Sequence, residues 1–312
     1  MTGRTLGVSD VLPASSSPRR ASLLGRSVSK RSPSRILSVF AGIVLEQIEA
    51  LREALAKLAA PAPTDEDLHQ YRVSLRRLRS AWVTFAPVLP VAWVAVWKPR
   101  LRELAAATGP VREWDVLLLD WLPAARAAVD PADTRSLNWL GWAATKASAA
   151  RGRAWAALRT ELVSPGLAAM LDALRDVIEP FHDEVPSSSL RAFAHSRARV
   201  LRKKVLKRGR KPKHAPAAEL HRARIAAKQW RYLYESFYPA LGAHASKRRC
   251  HHLRSLQDAL GEIHDADASL ARLAEAAGIE PPVAIAALFH ARAEIARAHA
   301  ARQLRWVRAR SA

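Results

Sequence analysis

Residues 68–118 align on residues 220–270 without a gap, at a constant offset of 152. Leu68, His69, Arg72 and Arg79 meet Leu220, His221, Arg224 and Arg231, and Arg76 meets Lys228 with its charge kept. Phe85, Pro87 and Leu89 meet Phe237, Pro239 and Leu241. Leu101, Arg102 and Leu104 meet Leu253, Arg254 and Leu256, while Gly109 meets Gly261 and Asp115 meets Asp267. An Ala- and Leu-rich chain matches itself by chance in places, but not at rare His, Pro, Gly and Phe positions over about fifty residues at one offset. A fainter echo at an offset of 151 pairs Arg151 with Arg302 and Trp155 with Trp306. A duplicated helical bundle is the expected fold.

The helical reading comes from composition. Beyond residue 34, Ala, Leu, Arg and Glu dominate, and glycines stand mostly at breaks such as Gly109, Gly166 and Gly242. No segment rich in Val, Ile or aromatics alternates with period two, so the expected class is all-α. Coarse helices are predicted over residues 35–60, 65–86, 91–107, 113–128, 133–162, 166–180, 188–208, 216–237, 243–260, 265–277 and 282–310. Residues 1–34, rich in Ser, Pro and Arg with Asp10 the only acid, read as a disordered basic tail. The two repeats are expected over 35–185 and 186–312.

Two stripes run side by side on the helix at 65–86. Leu68, Tyr71, Leu75, Leu78, Trp82 and Phe85 recur at spacings of three and four, an apolar stripe that needs a core. His69, Arg72, Arg76 and Arg79 each follow an apolar residue directly, one step of about 100° around the helix. The second copy repeats this with Leu220, Ala223, Ala227, Trp230, Tyr234 and Phe237 beside His221, Arg224, Lys228 and Arg231. A merely solvated face mixes signs to gain i,i+4 pairs, whereas Arg72 and Arg76 place like charges together at a cost of a few tenths of a kcal/mol. Recurrence of this costly pattern in the duplicate points to binding. Lys98, Arg102 and Arg254 on the following helices add charge. The densest cluster, Arg197–Lys213, contains no acid and either lines the same face or forms a separate patch.

The whole chain carries 50 Lys and Arg against 28 Asp and Glu, a formal charge of +22. Such an excess repels itself unless an anionic partner uses it. Nucleic acid, an anionic membrane surface and a phosphate polymer are the candidates. No apolar run reaches the 18 or so residues of a membrane span. The single cysteine, Cys250, excludes an internal disulfide and a multi-thiolate metal site and fits a reducing cytoplasm.

Other chemistry fits less well. His264, Asp265 and Asp267 resemble the histidine–aspartate pair of metal-dependent phosphohydrolases, but the equivalent Arg112 and Glu113 cannot build the same site. The acids read instead as helix caps or partners of nearby arginines. His69 and His221 have arginines where a second metal ligand would stand, so no metal or cofactor is expected. Non-specific DNA or RNA binding is the alternative function, since charge alone does not separate polyanions. Base recognition, however, needs exposed aromatics or a groove-fitting helix, and most tryptophans fall on apolar positions.

HQYRVSLRRLRSAWVTFAP from His69, HRARIAAKQWRYLYESFYP from His221, and the blocks GPVREWDVL and GEIHDADASL resemble the CHAD domain family over residues 35–312. The resemblance implies two pseudo-symmetric four-helix bundles and non-enzymatic binding of inorganic polyphosphate, at polyphosphate granules in the bacterial cytoplasm. It points to His69, Arg72, Arg76, Arg79, His221, Arg224, Lys228 and Arg231, with Arg102 and Arg254 next. Gln229 in place of Arg77 and His264 in place of Arg112 depart from strict equivalence. Histidines that charge below about pH 6.5 would make binding tighten from about pH 8 to 6.

Overall fold

The computed structural model describes residues 33–182, 190–210, 215–237 and 247–309. Residues 1–32 of the tail expected over 1–34, the repeat partners Pro239 and Leu241, the break at Gly242 and the end of the Arg197–Lys213 cluster lie outside these residues, while Pro33 and Ser34 already belong to the first helix. Every regular element among the described residues is helical, with no strand. In chain order these are α1 (Pro33–Ala59), α2 (Asp65–Phe85), α3 (Val91–Ala107), α4 (Gly109–Val116), α5 (Leu122–Ala128), α6 (Thr134–Leu162), α7 (Pro165–Ile178), α8 (Leu190–Arg208), α9 (Ala217–Ser236), α10 (Lys247–Ala277) and α11 (Val283–Ala309). No helix among them is long and apolar enough to cross a membrane.

Local chemistry sets the boundaries. Thr64 opens α2 with a reciprocal cap: its hydroxyl accepts from the Asp67 amide at 3.2 Å, and the Asp67 carboxylate accepts from the Thr64 amide at 2.8 Å. Asp65, Glu66 and Asp67 also set negative charge against the positive end of the helix dipole. Between α4 and α5 the chain takes a π-helical turn, Leu117–Trp121, ahead of Pro123, whose ring excludes a regular α register. Pro110, lacking an amide hydrogen, separates α3 from α4, so the helix expected from residue 113 begins at Gly109. The equivalent position in the second copy holds Glu262, and there the helix continues. Residues 247–277 form one helix where the sequence suggested two, because Gly261 without a proline beside it does not break the run.

Both apolar stripes are buried. Leu68, Tyr71, Leu75, Leu78, Trp82 and Phe85 face the interior, as do Leu220, Ala223, Ala227, Trp230, Tyr234 and Phe237. α1 packs on α2, α8 on α9, α10 on both α9 and α11, and α2 on α9. The larger core gathers α1, α2, α7, α8 and α9 with Leu158 and Leu162 of α6, Leu253–Ile263 of α10 and Ala296–Val307 of α11. A second core joins α4 and α5 to Trp139–Ala147 of α6, Ala266–Ala277 of α10 and Ile285–Ala293 of α11. Each core takes residues from both sides of position 185.

Candidate functional site

Because α2 and α9 pack together through faces next to their basic stripes, the two stripes meet across the seam. Lys228 of α9 stands at the meeting point. Burial, and then Arg76, Arg224, Arg72 and Arg79 around it, push its ammonium down to about 7. None of these five side chains has a carboxylate partner among the described residues. Arg76 and Arg224 each keep a buried Nε–H with no protein acceptor, and the buried Nδ1 of His221 has none either. Buried polar atoms are nearly always satisfied, so these three stand out at the seam, although core groups such as Trp82 Nε1 and Trp230 Nε1 also lack a protein partner.

Three of the arginines have specific neighbours on the protein. Arg72 donates from one Nη to the carbonyl and hydroxyl of Thr108, each at 2.5 Å, at the break between α3 and α4. Burial, and secondarily Arg112, lowers its pKa to about 10, which still leaves it charged at neutral pH. Arg224 lies instead against Gly261, where an added Cβ would come within 3.3 Å of its Nε. This glycine makes room for the guanidinium. Arg76 lies 5.2 Å from the centre of the Tyr232 ring, a cation–π contact between the two stripes. Arg79 is exposed, and its pKa is lowered by burial of its stem and by Arg102 of α3.

The histidines stand at the start of each stripe in unlike settings. His69 is exposed. His221 is half-buried with its ring 4.6 Å from that of His264, whose Nδ1 lies 2.9 Å from Asp265. Burial and then His264 lower the His221 pKa, moving its protonation below the usual histidine range. The repeat equivalents Arg112 and His264 thus both lie at the start of the stripes, Arg112 acting on Arg72 and His264 on His221.

The second stripe is less free than the first. Arg231 is buried and donates to Glu235 at 2.5 Å and to Gln257 at 3.1 Å, with Tyr232 4.6 Å from its guanidinium. Its counterpart Arg79 has no such acid, because Val83 stands where Glu235 stands. Arg231 thus lies at the seam but is spent internally. Arg254 is exposed, 4.0 Å from the same Glu235. Asp258, its carboxyl pushed up by burial, faces Arg231, Arg254 and Arg224. The first-copy positions of Asp258 and Glu262 hold Ala106 and Pro110, so the negative charge sits on one side of the face.

Lys98 and Arg102 are exposed on α3. Lys98 lies within electrostatic reach of Lys204 of α8, whose ammonium is lowered by burial and then by Arg197, Arg208 and Lys98. Arg197 also donates to the Val83 carbonyl at 3.3 Å, tying α8 to the end of α2. The described part of the Arg197–Lys213 cluster therefore extends the face at this end. Among the described residues no three His, Cys, Asp or Glu side chains stand close enough to hold a metal ion. Trp82, Trp97, Trp114, Trp121, Trp139 and Trp230 are buried, so they offer no stacking platform.

Among the described residues the protein is all-helical, with guanidinium groups from α2 and α9 gathered around Lys228. The CHAD domain family model matches residues 42–274. The chain belongs to the CHAD domain family. It is similar to the crystal structure of the CHAD domain from the plant Ricinus communis, at 26% identity and a TM-score of 0.64, covering 88% of this chain and 90% of that one. PptA from Streptomyces chartreusis shares the fold at 18% identity and a TM-score of 0.59, covering 89% and 98%. No curated protein matches the sequence.

Proposed function

We propose that this protein binds inorganic polyphosphate along the α2–α9 face, holding the polymer without catalysing a reaction on it. The family is associated with polyphosphate binding. The observation that carries the reading is the set of Arg72, Arg76, Arg79 and Arg224 around Lys228, none of them ion-paired to a carboxylate among the described residues. Phosphate oxygens accept charge-assisted bonds from planar guanidinium forks, and a polymer of repeated charge gains from many such contacts at once. Affinity falls with salt as counterions are released, by analogy with a log–log slope of about −0.7 per charge neutralised on single strands. The face comes from duplication: α1 to α6 form one four-helix unit, with α3 to α5 as one bent helix, and α8 to α11 form the other. Residues 35–185 and 186–312 bound these repeats, and the site of action is the cytoplasm, at polyphosphate granules.

The test is titration with labelled long-chain polyphosphate, single-stranded RNA and duplex DNA at about 0.15 M salt. Polyphosphate is expected to bind most tightly. The Arg72→Ala/Arg224→Ala double variant is expected to lose roughly a hundredfold, two charged hydrogen-bond sites at about 1.5 kcal/mol or more each, with its melting temperature recorded alongside. Equal binding of all three polymers, unchanged in the variant, would replace this reading with a general polyanion surface centred on α8. Glu235→Gln, which releases Arg231 and removes a negative charge beside Arg254, is expected to tighten polyphosphate binding by about threefold in the same titration. Unchanged or weaker binding would show that Arg231 and Arg254 stand off the polymer's path.

A further inference from the structure

Lys228 is more than one cation among several. Its half-buried amine stands one helical turn after Arg224 on α9, and Arg76 of α2 lies 5.2 Å from the ring of Tyr232 one turn further on. Arg72 and Arg79 of α2 add their charge to it, and no carboxylate is ion-paired with it among the described residues. A guanidinium cluster of this kind gathers phosphate groups directly beside a primary amine. We propose that Lys228 is a site of covalent acylation by small acyl phosphates, which the surrounding arginines capture by the phosphate. The inference rests on the anion-receiving character proposed for this face, but not on the polymer being its ligand.

The chemistry balances within the two reactants. The Lys228 amine attacks the acyl carbon, a C–N bond forms, and the bond between that carbon and the phosphate-bearing oxygen breaks. The electron pair leaves with inorganic phosphate, and the proton released by the nitrogen ends on that phosphate. The arginines hold the departing phosphate and stabilise its growing charge. In the free protein burial and the arginines push its ammonium down to about 7. The two charges of an acyl phosphate offset only part of the four guanidinium charges, so a share of the amine stays neutral and nucleophilic without a separate base. An ordinary lysine titrates near 10.4 and is almost wholly protonated at neutral pH. Acylation would remove the charge from the centre of the face and leave a bulky amide in its place. It would act as a chemical off-switch for anion binding, responsive to the supply of activated acyl groups.

The test uses the unmodified full chain, incubated with acetyl phosphate at pH 7.5. Acetylation is then quantified at each lysine by peptide mass spectrometry. Lys203, exposed on α8, is the internal reference. Lys228 is expected to acetylate about tenfold faster or more, given its larger neutral fraction. Added inorganic phosphate is expected to slow it selectively, and N-acetylimidazole, which carries no phosphate, to show a smaller preference. Equal rates at Lys228 and Lys203 with acetyl phosphate would overturn the proposal, as would an equal preference with both reagents. Long-chain polyphosphate in the same reaction separates the two readings. Selective acetylation that the polymer does not block retains the lysine site and removes the polymer from this face.

Discussion

Raising the pH from 7 to 9 is expected to weaken polyphosphate binding by up to about a hundredfold, and Lys228→Arg is expected to abolish most of that loss. In the free protein, burial and four guanidinium groups hold the Lys228 ammonium near 7. A bound polyanion neutralises those neighbours and favours the charged amine, so the bound-state pKa lies above the free-state one. Between the two values each binding event takes up one proton. Affinity is therefore full below about pH 7 and falls by as much as tenfold per unit above it, until the bound-state pKa is passed. Arginine stays charged throughout, so the variant keeps its affinity at pH 9. The histidine reading of the sequence placed this dependence between about pH 8 and 6. His221, its pKa lowered by burial and by His264, instead titrates toward the acidic end of that range or below it. Isothermal titration in buffers of different ionisation enthalpy counts the proton directly. No uptake at pH 8, or a slope in Lys228→Arg equal to that of the parent, would remove Lys228 from the contact set.

Trp82→Ala is expected to cost about 3–5 kcal/mol of stability, read by urea or guanidinium denaturation. The Trp82 side chain is 1% exposed, and its ring meets Phe40 edge-on, with centroids 5.1 Å apart at 89°. Phe40 in turn contacts Phe85, which contacts Phe193 and Phe237, so the indole anchors one end of an aromatic chain linking α1, α2, α8 and α9. Truncation leaves a cavity where neighbours from several helices cannot collapse together. The arginines that face outward from α2 depend on this anchor. A loss below about 1 kcal/mol would mean that the α1–α2 interface repacks freely.

Much of this was legible in the sequence, and what was not required neighbours. The apolar residues at spacings of three and four lie in the core in both copies, and the basic residue after each lies beside that core. This follows from helical geometry alone. The pairing of Arg231 was partly visible, since Glu235 stands four residues on where the first copy has Val83, a spacing that favours an ion pair. The interruption expected between residues 260 and 265 falls at Gly261, the repeat partner of Gly109, but Pro110 is what breaks the first copy and Glu262 stands in its place in the second. The encirclement of Lys228, the Thr108 carbonyl under Arg72 and the Tyr232 ring under Arg76 could not be read from the sequence. Each joins residues from different helices, and spacing along one helix carries no information about which helix lies opposite.

The sharing of three long helices between the two cores has a consequence for how the chain can change. α6, α10 and α11 each give one end to the larger core and the other to the smaller. Inserting one residue midway along any of them would turn everything beyond it by about 100° and slide it by about 1.5 Å. One core would then lose its apolar faces while the other kept them. These helices act as rulers that hold two separate interiors in phase. Changes in chain length are confined to the connections, such as those between α5 and α6 or α10 and α11, where an extra residue costs only loop entropy.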